Sequence, residues 1–144
     1  MKQGSPELCE AHVCVSFALR KAARSVTRRY DAALRSSGLK STQFNLLVAL
    51  DATGATTTSA LARMIAIERT TLHRNLALLA KKGWVGVEPG EDGRSRKVSI
   101  TPRGRQAAFK ALPAWRRMQR ELAEALGSNQ IAALIATLDE LTHA

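Results

Sequence analysis

Apolar positions along this chain change their period twice, and those changes divide it into elements. Leu19, Ala22, Val26, Tyr30 and Ala33 recur at spacings of three and four, the repeat of one helix face. Arg20, Arg24 and Arg28 run beside that stripe, and Gly38 falls where a helix end is expected. The pattern predicts one long helix over residues 8–36. Ser41 is then placed to cap a second helix, with Phe44, Leu47 and Val48 facing inward and Gly54 at its end. Thr56-Thr57-Thr58 offers the next cap, and Leu61, Ala62 and Ile65 mark one side of a short third helix. After a turn at Ala66-Ile67-Glu68, Leu72, Leu76 and Leu79 form the stripe of a fourth helix. It runs to Lys82 and stops at Gly83.

The period then falls to two. Val85 and Val87 alternate with Gly86 and Glu88, and Val98 and Ile100 with Lys97 and Ser99. These are two strands, and the turn residues Pro89-Gly90-Glu91-Asp92-Gly93 lie between them. Thr101 as cap and Pro102 at the first helical position restart a helix. Its apolar side carries Ala108, Leu112, Trp115, Leu122 and Leu126, and Pro113 inside it predicts a kink. Gly127-Ser128 ends it and caps a last helix bearing Ile131, Leu134, Ile135, Leu138 and Leu141. The expected fold class is mainly α with a small β-hairpin, in one domain of 144 residues.

Charge narrows the partner. The chain has 22 Lys and Arg against 12 Asp and Glu, a net charge of +10, and such an excess favours a polyanion through counterion release. It is concentrated in residues 60–105 and 1–40, while the remainder is close to neutral. Charges interrupt every apolar run before a bilayer-spanning length of about 18 residues, and no basic segment has the apolar face of an interfacial helix. No membrane partner is expected. The N-terminus lacks a signal-peptide layout, so a cytoplasmic location is expected.

The fourth helix joins charge to pattern. At about 100° per residue, Thr70, His73, Arg74, Ala77 and Lys81 gather opposite the leucine stripe, on a face without carboxylates. Alone, such a face reads as solvated. It is followed, however, by a hairpin whose tip is Gly93-Arg94-Ser95-Arg96-Lys97. Helix, turn, helix and basic hairpin are what laying one helix in a major groove with a loop beside it requires.

The Leu61-Ala62 helix, the Thr70-Thr71-Leu72-His73-Arg74 helix and above all Asp92-Gly93-Arg94-Ser95-Arg96-Lys97-Val98-Ser99-Ile100-Thr101 resemble the MarR family of bacterial winged helix-turn-helix regulators. The likeness runs from about Leu8 to Leu141; the turn lacks the glycine often found there, and the hairpin is short. The resemblance implies a single winged helix-turn-helix protomer over residues 1–144. Residues 41–101 would form the DNA-binding lobe, and 8–37 and 102–143 the dimerisation helices. It further implies a transcriptional regulator, typically a repressor, which binds pseudo-palindromic promoter DNA as a homodimer. A small aromatic or phenolic effector, or an oxidant, would release it.

The candidate contacts follow from side-chain chemistry. Thr70, Thr71, His73 and Arg74 are placed to reach base edges: Arg pairs bidentately with guanine, and a Thr methyl packs on thymine's. Arg74 is equally suited to a phosphate. Arg94 suits a narrow minor groove, Arg96 and Lys97 on the strand beside it suit phosphates, and Arg69 and Ser95 complete the set of candidate contacts. Asp92 is expected to orient Arg94 through an ion pair. Thr58 and Ser59, at a helix start, suit phosphate oxygens.

Cys9 and Cys14 are too few for a disulfide framework. In relatives of this family an oxidant-sensing cysteine precedes Phe-Ala-Leu; here Ser16 precedes Phe17-Ala18-Leu19. Two buried, unreactive thiols are the expected reading, with thiol-based sensing through Cys9 and Cys14 as its alternative. Cys9 and His12 share a helix face but offer two ligands at most, so no metal and no cofactor are expected. No nucleophile–base–orienter set is evident, so the chain is not expected to be an enzyme. A non-specific architectural DNA-binding protein is the competing function.

Overall fold

The computed structural model describes Ser5, Leu8, Ala11 and residues 13–143. Helix α1 spans Val15–Leu34 and passes through a short 3-10 turn, Arg35–Ser37, to Gly38. Then come α2 (Ser41–Thr53), β1 (Thr56–Thr57), α3 (Thr58–Met64), α4 (Arg69–Lys81), β2 (Val85–Pro89), β3 (Arg96–Ile100), α5 (Pro102–Leu126) and α6 (Ser128–His143). Fold class and element order are those the pattern predicts, with differences at the edges.

The first helix starts later than expected. Cys14 precedes it in extended backbone (φ −101°, ψ 121°), and Val13 and Val15 at this end are exposed, with no core beneath them to extend the helix face. At its other end Gly38 adopts φ 73°, a left-handed conformation that glycine tolerates.

Ser41 does not cap α2. The cap is Lys40, whose N–H donates to Gln43 Oε1 at 3.1 Å, while the Ser41 N–H donates to Asp31 Oδ1 of α1 at 2.7 Å. A carboxylate ten residues away satisfies the donor and binds α1 to α2. Val48 is also misplaced by the pattern: Phe44, Leu46, Leu47 and Leu50 fill the core, whereas Val48 is exposed. Helix α2 is apolar around most of its circumference, so spacing alone did not define its inner side.

The hairpin is part of a three-stranded antiparallel sheet in the order β1-β3-β2. Thr56 and Thr57 pair with Val98 and Lys97, and Val85–Pro89 pair with Ile100–Arg96. The extra strand is short, but its β-branched threonines suit extended backbone. Thr57 both ends β1 and caps α3, its Oγ1 accepting from the Ala60 N–H at 3.1 Å.

The core lies between the helices and the sheet. Leu61, Leu72, Leu76 and Leu79 from α3 and α4 meet Leu46, Leu47 and Leu50 of α2, Val85 and Val98 of the sheet, and Ala111 of α5. Each fully buried leucine contributes about 1.5–3 kcal/mol of burial free energy. Phe44 and Trp115 stack tilted, with ring centroids 6.2 Å apart, tying α2 to α5. Thr101 caps α5 as predicted, accepting from the Gly104 N–H at 3.0 Å. Pro113 lies inside α5 without ending it. No residue of α6 between Ser128 and His143 is buried.

Candidate nucleic-acid interface

Helices α3 and α4 meet across a turn with one unusual residue. Ala66 has φ 51°, the only described non-glycine residue at positive φ. It stands where the family resemblance would place glycine. The hydrogen bonds from Ala66 N–H to Arg63 O (3.3 Å) and from Ile67 N–H to Ala62 O (3.0 Å) hold the turn. Leu72, Leu76 and Leu79 anchor α4 below, leaving Arg69, Thr70, His73, Arg74, Ala77 and Lys81 exposed. Thr71 is half-buried, and its carbonyl accepts from Asn75 Nδ2 at 3.1 Å.

The basic hairpin tip lies against the start of this helix. Thr58, Ser59, Arg69, His73, Arg94, Ser95 and Arg96 surround one cleft of about 240 Å³, floored by Leu72. The structure thus gathers seven of the eleven expected contact residues around a single concavity. Thr70 and Arg74 are exposed on the same helix outside the cleft. Lys97 is on the other side of β3, as strand alternation demands, where it lines a second hollow with Thr56, Thr57, Gly90 and Asp92.

The expected ion pair between Asp92 and Arg94 is absent; among the described residues no salt bridge involves either side chain. Asp92 Oδ1 instead accepts three hydrogen bonds: from Arg94 N–H at 3.0 Å, Ser95 N–H at 2.9 Å and Ser95 Oγ at 2.8 Å. A short carboxylate side chain reaches the backbone two residues on more readily than a guanidinium that water solvates. Those bonds, the Ser95 N–H first, hold the Asp92 carboxyl below its ordinary pKa of 3.8. Gly93 (φ 69°) completes the turn, and Gly90 N–H donates to Ser95 O at 2.7 Å. Asp92 therefore shapes the loop that presents Arg94 and leaves that guanidinium free.

Away from this surface, Phe44, Leu47, Val48, Ile100, Ala108, Phe109 and Leu112 line an apolar crevice of about 160 Å³ between α2, β3 and α5. Asp51 and Arg105 sit at its edge, joined Oδ1 to Nε at 2.6 Å. Spacing alone did not identify these residues, since they come from three separate elements.

The cysteine expectation is corrected in part. Cys14 is exposed, not buried, because the helix begins after it. Cys9 and His12 lie outside the described residues.

The same arrangement recurs in solved proteins. A transcriptional regulator of Mycobacterium tuberculosis, MosR, solved in complex with DNA, is 39% identical, and the match covers 90% of this chain and 96% of that one with a TM-score of 0.79. The MarR family model matches residues 37–95, from Ser37 through the helix-turn-helix to the hairpin tip. The chain belongs to the MarR family. A mutant MarR from Escherichia coli complexed with operator DNA shares the MarR-family fold at a TM-score of 0.81, over 95% of this chain and 99% of that one, at 20% identity. A curated Bacillus subtilis protein described as an uncharacterized HTH-type transcriptional regulator, YwoH, is 29% identical over 83 residues; the match spans 61% of its length. These relatives are transcriptional regulators, which bears out the expectation that this MarR-family chain is a regulator and not an enzyme. DNA binding is the family's mode of action.

Proposed function

We propose that this protein binds pseudo-palindromic promoter DNA as a homodimer and represses transcription. Helix α4 enters the major groove, and the hairpin reaches the neighbouring minor groove. The observation that carries this reading is the shared cleft: an exposed, carboxylate-free helix face and the hairpin tip border one cationic concavity. Thr70, His73 and Arg74 face base edges, and Thr71 supports them from its half-buried position. Arg94 enters the minor groove, while Thr58, Ser59, Arg69, Ser95, Arg96 and Lys97 bind phosphates and sugars.

The crevice beside Phe109 is the proposed effector site. Its walls are apolar, and Arg105 supplies a cation at the edge, a combination that suits a small aromatic acid. A ligand carboxylate would compete with Asp51 for Arg105.

Selecting bound duplexes from a random pool, followed by footprinting, tests the main reading. A protected palindrome with two half-sites about one helical turn apart is the expected result. Uniform coverage with no enriched sequence would replace regulation with non-specific architectural binding. For the effector, aromatic carboxylates should release the selected duplex from wild type and fail to release it from Arg105→Ala.

A further inference from the structure

A second cationic surface lies at the opposite end of α4 from the hairpin. Lys82, the cap residue after α4, donates from Nζ to the Gly38 carbonyl at 2.6 Å and sits 4.5 Å from the centre of the Trp84 ring. That bond brings the end of the reading helix against the α1–α2 junction. There, Arg28, Arg35 and Lys40 border one concavity with Asp31, Gly38 and Leu39. The sole acid among these, Asp31, already accepts from the Ser41 N–H. Among the described residues, no ion pair involves Arg28, Arg35, Lys40 or Lys82. The cations are exposed and unneutralised.

Position decides what such a patch meets. Helix α4 has 13 residues and is therefore about 20 Å long, whereas a major groove is only about 12 Å wide. A helix lying across the groove with its N-terminal turns beside the hairpin must emerge over phosphates at its other end. The exposed row Thr70, Arg74, Ala77 and Lys81 leads along one side of α4 toward that end.

Resting on the DNA-binding reading above, we infer that Arg35 and Lys40, which Lys82 ties to the end of α4, form a second phosphate clamp. The clamp grips the duplex backbone across the groove from the hairpin. It contributes affinity and register without reading sequence, and it gives a role to two basic residues outside the helix-turn-helix.

The test is the salt dependence of binding by the full chain to its selected duplex, wild type against Arg35→Ala/Lys40→Ala. Each lost phosphate contact removes about 0.9 from the slope of log K against log salt. Two residues on each of two protomers should flatten it by roughly 3.6. Between 50 and 200 mM salt, wild type should then lose about 150-fold more affinity than the double variant. Base preference should be unchanged, and Arg35→Lys/Lys40→Arg should restore the slope. A double variant that melts like wild type and keeps the wild-type slope overturns the clamp while leaving the DNA-binding reading intact. A wild-type protein with no salt-dependent duplex binding overturns both.

Discussion

At the scale of single residues, the hairpin tip shows how a carboxylate can serve a cationic site without neutralising it. Asp92 Oδ1 accepts from Arg94 N–H, Ser95 N–H and Ser95 Oγ, and the guanidinium of Arg94 remains exposed. Because the folded carboxyl titrates below its ordinary value of 3.8, its contribution to the ordered turn is complete above that value. It is lost as pH falls through the lower, folded value. Amide resonances of Arg94 and Ser95 followed by NMR should therefore titrate with a midpoint below 3.8; a midpoint above it would contradict the three-bond arrangement. Arg74→Ala should cost about 1–3 kcal/mol of operator binding and relax preference at one base pair. A loss equal across all sequences would assign Arg74 to phosphate. Arg94→Ala should weaken operators with A·T-rich flanks most, and equal affinity for wild type and variant would remove the hairpin from the interface. The residue types of this site were readable in the sequence. The partner of Asp92 was not, since a charge pair and a backbone turn have the same residues at the same spacing.

At the scale of elements, spacing located nearly every helix and both hairpin strands because each buries one side. It failed where that asymmetry vanishes. Helix α2 buries Phe44, Leu46, Leu47 and Leu50 on one side, but Val48, Ala49 and Ala52 continue the apolar surface round it, so the pattern places Val48 inward although it is exposed. Strand β1 is two residues long, too short to alternate. A tight junction offers a direct check on the fold. A Cβ added at Gly104 would collide with the carbonyl oxygen of Trp84, a backbone atom unable to rotate away, and would lie 3.1 Å from the Ile100 side chain. Gly104→Ala should destabilise the protein by about 1–3 kcal/mol, measured by thermal or denaturant unfolding. An unchanged melting temperature would show that the start of α5 is not packed against Trp84 and Ile100 as described.

At the scale of the whole molecule, the core draws on α1 through Leu34 and on α5 through Ala111 as well as on residues 41–101, yet large apolar side chains of the first and last helices stay uncovered. Phe17 and Ile135 are each 58% exposed, and Leu134, Leu138 and Leu141 also face solvent. Leaving so many large apolar side chains in water favours burial between copies. In sedimentation the protein should therefore have twice the 15.6 kDa chain mass. Leu134→Glu/Leu138→Glu should shift it toward monomer and lower operator affinity; a double variant that remains dimeric would place the interface elsewhere. The charge distribution was legible at this scale from composition alone. The apolar crevice and the Lys82–Gly38 contact were not, because each unites segments distant in sequence.

Thr101 gives the hairpin a fixed joint to the long helix. Only this residue separates β3 from α5, and it is fastened on three sides: its N–H donates to Trp84 O, its Oγ1 donates to Gly83 O, and that same oxygen accepts from Gly104. The hairpin extends five residues beyond the joint, a lever of about 17 Å at strand rise. Tilting the long helix by about 5° about so stiff a hinge would swing the tip through roughly 1.5 Å, about half the length of a hydrogen bond. A change in the slope of α5 is thereby carried directly to the arginines at the hairpin tip.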